Sequence, residues 1–174
     1  MSIYEFKGKV PKIGKTSWIH ETAQLIGDVM VGEECFIGAG AVLRGDFGSI
    51  RVGDRSSIQE SSTLHCRPDA KCVVGSDVTI GHGSVLHGCE IKDRTVIGMH
   101  STVSDNAVVG RDCIVGEASF VRANQQIPDG MLAMGNPAEI KGPLRDNQRM
   151  MKDAGAKAYV ELTRMYFREA EKIT

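Results

Sequence analysis

The chain has 174 residues, a formal net charge of −1 from 21 basic and 22 acidic residues, and few aromatics: five Phe, three Tyr and one Trp. Its charges of both signs are spread along the chain, so the basic, aromatic-studded stripe of a nucleic-acid binder is missing, and no run is apolar enough to cross a membrane. Met1-Ser2-Ile3-Tyr4-Glu5-Phe6-Lys7 contains no apolar leader core, and five Cys, an odd number, suit a reducing compartment. A cytoplasmic protein with neither a nucleic-acid nor a membrane partner is expected.

Residues 1–18 read as a lead-in. From Ile19 onward a large aliphatic residue recurs every sixth position. Ile19, Leu25, Val31, Ile37 and Leu43 form one run; Val52, Ile58 and Leu64 a second; Val74, Ile80 and Leu86 a third. Ile91, Ile97, Val103, Val109, Val115, Val121 and Ile127 complete the set. Four residues after most of these anchors sits a small residue, such as Ala23, Cys35, Ala41, Ser62, Ser84, Ser101 or Cys113. Amphipathic helices need apolar positions three and four apart, and half-buried strands need every second one. A six-residue period fits neither. It fits a parallel β-helix in which each hexad is a short strand plus a turn. Three hexads close an 18-residue triangular coil, and coils stack at about 4.8 Å. The 18 anchors imply six coils over residues 19–142.

The rhythm slips three times, and in a solenoid slips mark loops or sites. Leu43 to Val52 takes nine residues, Leu64 to Val74 ten, and Leu86 to Ile91 five. Beyond Gly142-Pro143, residues 143–174 read as a helical tail, in two stretches: Leu144 to about Asp153, and Ala156 to about Ile173. In the second, Tyr159, Leu162, Met165, Tyr166 and Ala170 share a face that would pack along the β-helix.

His65 and His87 each directly follow an anchor, and they are 22 residues apart. Removing the four extra residues of the Leu64–Val74 interval leaves 18, one full turn, so the two imidazoles should stack on one edge, a coil apart. His82 lies on the preceding side of the triangle and should project away from the pair. In a symmetric trimer, a neighbour's His82 would meet His65 and His87. Three His with an open fourth position are the ligand set of a zinc centre that lowers the pKa of water to about 7. His20 and His100 read as surface residues, and Cys66 and Cys89 as buried thiols rather than soft ligands.

With those residues placed, the chain resembles the γ-class carbonic anhydrase-like proteins. The resemblance is carried by Leu43-Arg44-Gly45-Asp46, Ser57-Ile58-Gln59-Glu60, Thr63-Leu64-His65, Ile80-Gly81-His82-Gly83-Ser84-Val85-Leu86-His87-Gly88-Cys89, Val96-Ile97-Gly98-Met99 and Gly135-Asn136-Pro137-Ala138. It implies a left-handed parallel β-helix with a C-terminal α-helix, assembled as a homotrimer. The implied metal, zinc with cobalt or iron as alternatives, sits at each subunit boundary on His65 and His87 of one subunit and His82 of the next. The resemblance further assigns Arg44 and Asp46 to an ion pair near the site and Gln59 to orienting metal-bound hydroxide. It brings Tyr159 to the site from the tail. Glu60 stands where that family has Asp, Phe47 where an acidic residue can follow, and the acidic proton-shuttling loop is missing.

The expected activity is therefore CO2 hydration to bicarbonate, weak or conditional because the shuttle is absent. Three alternatives stand beside it. One is hydrolysis of acyl-CoA thioesters at the same metal, the chemistry linked to relatives from phenylacetate and carnitine metabolism. Another is acyl transfer with a single His as base. The last is a metal-binding trimeric scaffold without turnover.

Overall fold

The computed structural model describes residues 2–171 and 173. The fold is mainly β: a left-handed parallel β-helix with a single C-terminal helix. One face carries a ladder of seven parallel strands: Trp18–Ile19, Phe36–Ile37, Ser57–Ile58, Thr79–Ile80, Val96–Ile97, Ile114–Val115 and Met131–Met134. The coils therefore number seven, where anchor counting implies six. Winding begins before Ile19, since Lys12–Ile13 already pairs with Met30–Val31. It extends past Ile127 to Met131–Met134, against which Glu139–Pro143 folds back antiparallel.

The anchors from Leu25 to Ile127 are buried, and so is every small residue four positions on, from Ala23 to Ser119. Burying Ser and Thr in so thin a core requires partners for their hydroxyls. Each partner lies about a coil further on: Ser56 donates to the Gly75 carbonyl, Ser62 to Gly81, Ser84 to Gly98, Thr95 to Gly110 and Ser101 to Gly116. The glycine after the anchor follows from the same stacking. A Cβ on Gly98 would lie 2.6 Å from the Glu117 amide nitrogen of the adjacent coil.

Turning each corner takes one left-handed residue per coil. At the corner entering the seven-strand face these are Glu34, Arg55, Asp77, Arg94 and Asp112, with φ between 53° and 58°. Their signs alternate down the stack, so the corner becomes an ion ladder. Arg55 binds Asp77 through two nitrogens at 2.8 and 2.9 Å, and Arg94 binds Asp112 at 3.0 and 2.7 Å.

The tail forms one helix, α1, Asp146–Glu169. Gly155 does not interrupt it, although glycine costs roughly 1 kcal/mol in a helix interior. Contacts on both sides of Gly155 hold α1 to the coil. Lys152 reaches Asp112 and Arg164 reaches Glu34, the two ends of the charged ladder. Between them Tyr159 packs on Phe36, and beyond Arg164 Tyr166 packs on Trp18, with ring centroids 5.3 and 4.4 Å apart. Four of the aromatic residues thus dock the helix instead of filling the coil. Of the expected apolar face, Leu162 and Tyr159 are half-buried, while Met165, Tyr166 and Ala170 remain exposed.

Two stability measurements follow from this packing. Ile97→Ala leaves a cavity that neighbouring coils cannot close, so urea unfolding should show a loss of about 2–5 kcal/mol. Asp112 has its carboxyl held below its ordinary value, chiefly by the Arg94 hydrogen bond, with burial opposing. A depressed folded value means stabilisation that is complete above the unfolded value and lost as pH falls through the folded one. Asp112→Asn should therefore be less stable at neutral pH yet lose less stability than the native chain on acidification below about pH 4, measured by thermal melts across that range.

Candidate metal centre

His65 ends the strand Thr63–His65 and His87 ends Val85–His87, and these strands pair in register with His65 directly opposite His87. The stacking argued from the 18-residue winding holds. His65 Nδ1 and His87 Nε2 face each other at 3.2 Å. Two ligands on one tetrahedral zinc, with bonds of 2.0–2.1 Å, stand about 3.3 Å apart. The pair therefore matches one edge of such a site before any adjustment.

The outer nitrogen of each ring meets a carboxylate. His65 Nε2 lies 3.1 Å from Asp46 Oδ1, and Asp46 Oδ2 accepts from Arg44 at 2.7 Å. His87 Nδ1 lies 2.8 Å from Asp105 Oδ1, and Asp105 Oδ2 pairs with Arg67 at 2.8 Å. A continuous line results: Arg44, Asp46, His65, His87, Asp105, Arg67. Burial, acting first, holds the His65 imidazole below its ordinary value, so the ring favours its neutral, ligating form. The Asp46 carboxyl is also lowered, the Arg44 and His65 hydrogen bonds together overcoming its desolvation.

Asp46 reaches His65 because the first slip is not a loop. Val42–Val52 runs as a single strand around the corner. It passes so close to the preceding coil that a Cβ on Gly45 would stand 2.4 Å from the Asp28 carbonyl oxygen. The second slip is a true loop carrying Arg67, and the Asp69 amide in it donates to the Phe47 carbonyl at 3.2 Å. The Phe47 ring flanks His65 at 5.8 Å.

His82 sits on the previous corner, outside this line, and pairs through Nδ1 with Glu60. Gln59, 5% exposed, precedes Glu60 on that corner. Tyr159 packs nearby, its hydroxyl pushed up by burial and then by the Glu60 charge. The site residues thus fall into two groups: Arg44, Asp46, His65 and His87 on one edge, and Gln59, Glu60, His82 and Tyr159 on another. Among the described residues no three His, Cys, Asp or Glu side chains converge as a metal set within one chain.

Other residues resolve simply. His20 bonds Thr22 and His100 is exposed over Gly83. All five Cys are free and buried; Cys66 and Cys89 point into the core, and burial raises the Cys66 thiol. Asp105 and Arg67 escaped the sequence reading, although Asp105 stands 18 residues after His87, the winding number itself. A groove of about 690 Å3 between α1 and the charged corner lies away from the imidazoles. Its Arg55, Asp77, Arg94 and Arg164 are already paired with one another or with their neighbours.

The six-repeat bacterial transferase hexapeptide model matches residues 11–45 and 71–105. The carnitine operon protein CaiE of Escherichia coli K12 is 39% identical over 162 residues, 93% of this chain and 83% of that protein. The chain belongs to the hexapeptide-repeat transferase family. Two solved members superpose closely on it. A suggested acetyltransferase from Bacillus cereus has a TM-score of 0.95 at 36% identity, covering 97% of this chain and 98% of its own. A hexapeptide transferase family protein from Anaplasma phagocytophilum has a TM-score of 0.91 at 31% identity, covering 95% and 98%. No helix among the described residues of this hexapeptide-repeat protein is long and apolar enough to cross a membrane.

Proposed function

We propose that this protein is a homotrimeric, metal-dependent enzyme that acts on acyl-CoA thioesters at its subunit boundaries. The observation that carries this reading is the His65–His87 pair: two inward nitrogens 3.2 Å apart, with both outward nitrogens on carboxylates. His65 and His87 of one subunit and His82 of the next would hold the ion, joining the two edges described above. Zinc in such a site polarises a carbonyl and acidifies water to a pKa of about 7.

The chain's own residues supply the remainder. Asp46 accepts from the outer nitrogen of His65, and Arg44 neutralises the carboxylate that does so. Phe47 covers one side of His65 and excludes water there. Arg67, 70% exposed at the rim, spends one nitrogen on Asp105 and keeps other N–H groups for an anionic substrate. A CoA thioester carries phosphates, and the relatives named as transferases and the carnitine operon protein favour this substrate class.

CO2 hydration at the same centre is the second reading, favoured by Gln59, buried on the corner that presents His82. It requires a proton acceptor at the mouth. The loop there offers Arg67, a permanent cation, and Asp69, a weakly basic carboxylate, in place of the acidic shuttle loop, so hydration by this chain would be slow.

Two experiments test the proposal. His65→Ala and His82→Ala subunits should each bind no zinc as homotrimers, whereas mixed trimers refolded from both should regain one intact boundary each. Metal analysis reads the outcome, and mixed trimers without zinc would reject a shared site. A panel of acyl-CoA substrates should then show thioester cleavage that chelator abolishes and zinc restores. Cleavage or transfer indifferent to chelator points instead to a His base without metal, and CO2 hydration without thioesterase activity selects the second reading.

A further inference from the structure

We infer that Asp105, clamped by Arg67, positions His87 for metal, so that each imidazole of the pair is set by its own Arg–Asp arm. This rests on the metal-centre reading above and adds to it two residues from outside the resembling motifs.

The two arms are alike in chemistry and unrelated in sequence. Arg44 and Asp46 come from one strand, whereas Asp105 follows the strand Thr102–Val103 and Arg67 rides the loop after His65. Backbone proximity therefore does not explain why a second Arg–Asp pair ends on the second imidazole. Surface stability explains it poorly too. Arg67 is 70% exposed and an exposed pair contributes roughly 0–1 kcal/mol, yet the Asp105 side chain is only 15% exposed and gives one oxygen to His87.

Tautomers make the argument specific. An Nδ1–H on His87 donating to Asp105 leaves the Nε2 lone pair pointing inward. An Nε2–H on His65 donating to Asp46 leaves its Nδ1 lone pair pointing inward as well. Two lone pairs then approach each other at 3.2 Å, an arrangement that repels unless a shared proton or a metal cation bridges them. Carboxylates behind ligating imidazoles fix exactly that orientation and raise the basicity of the ligand. Gly88 adds an independent sign. It has φ +56°, and a Cβ there would stand 2.5 Å from Asp105 Oδ1, so the residue after His87 leaves room for the carboxylate to approach.

The test is zinc affinity measured by chelator competition on the full-length protein, alongside melting of the metal-free form. Asp105→Asn keeps the shape but replaces an acceptor oxygen by an amide; it should weaken zinc binding by about 10–100-fold while the metal-free melting temperature holds. Asp105→Glu should recover part of the affinity, and Arg67→Gln should lose less than Asp105→Asn. Cobalt-substituted Asp105→Asn should show an altered visible ligand-field spectrum. Zinc affinity in Asp105→Asn within twofold of the native chain would overturn the assignment, as would a loss matched by collapse of the metal-free fold. A native trimer that takes up no zinc defeats the metal-centre reading itself, whereas a native trimer that binds zinc beside an unaffected Asp105→Asn defeats only the role of Asp105.

Discussion

Parallel, in-register stacking of coils at strand spacing is the constraint on which the molecule depends. Every residue lies beside its counterpart one winding away, so a choice made at one hexad position is repeated down the stack. Aliphatic anchors stack on aliphatic anchors because nothing else fits a core this narrow. The same rule sets His65 opposite His87 and brings Asp105 beside His87. Two imidazoles are thus paired without any helix or loop to aim them, and the rigidity of the coil fixes their spacing.

Stacking also creates a liability that the corners resolve. Identical charges repeated at one corner would repel along the whole coil. This chain alternates them instead, Glu34, Arg55, Asp77, Arg94, Asp112, and closes both ends with Arg164 and Lys152 from α1. The ladder and the aromatic contacts of Trp18, Phe36, Tyr159 and Tyr166 together fix the helix to one face. The strands that carry His65 and His87 belong to another face, which α1 leaves uncovered.

Period was the most legible property of the sequence, because a buried aliphatic every six residues has no other structural explanation. The phase of His65 and His87 followed from it once the insertion after Leu64 was discounted. What escaped detection depended on backbone detail rather than on pattern. The strand Val42–Val52 absorbs its slip as a register shift against the preceding coil, from Gly27 opposite Gly45 to Val29 opposite Ile50, with Gly45 passing close to Asp28, so a slip in the count is not always a loop. The first coil was missed although Ile13 stands six residues before Ile19, on the same spacing, because the count began at Ile19 and residues 1–18 were set aside as a lead-in. The tail was read as two helical stretches, ending near Asp153 and resuming at Ala156, because the sequence does not display the ion pairs and rings that hold one helix on either side of Gly155. Asp105 was missed for a related reason: its contact depends on the shortened interval after Leu86, which alters hexad position while the 18-residue separation from His87 survives.

The placement of the site follows from how a thin solenoid buries anything at all. Its interior has no room for a substrate, so on the proposed reading the sheltered centre forms between molecules, where two coil edges meet. One chain accordingly presents two partial sites: a His pair with its Asp46 and Asp105 partners on one edge, and His82 with Glu60 on another. All three imidazoles lean on carboxylates, and Arg44 and Arg67 offset two of those charges. An edge prepared in this way holds carboxylates against imidazole rings, each with its other nitrogen turned away from the carboxylate. Arg44 and Arg67 balance the carboxylates on this edge, and in the proposed trimer a neighbour would bring it a third imidazole together with a cation.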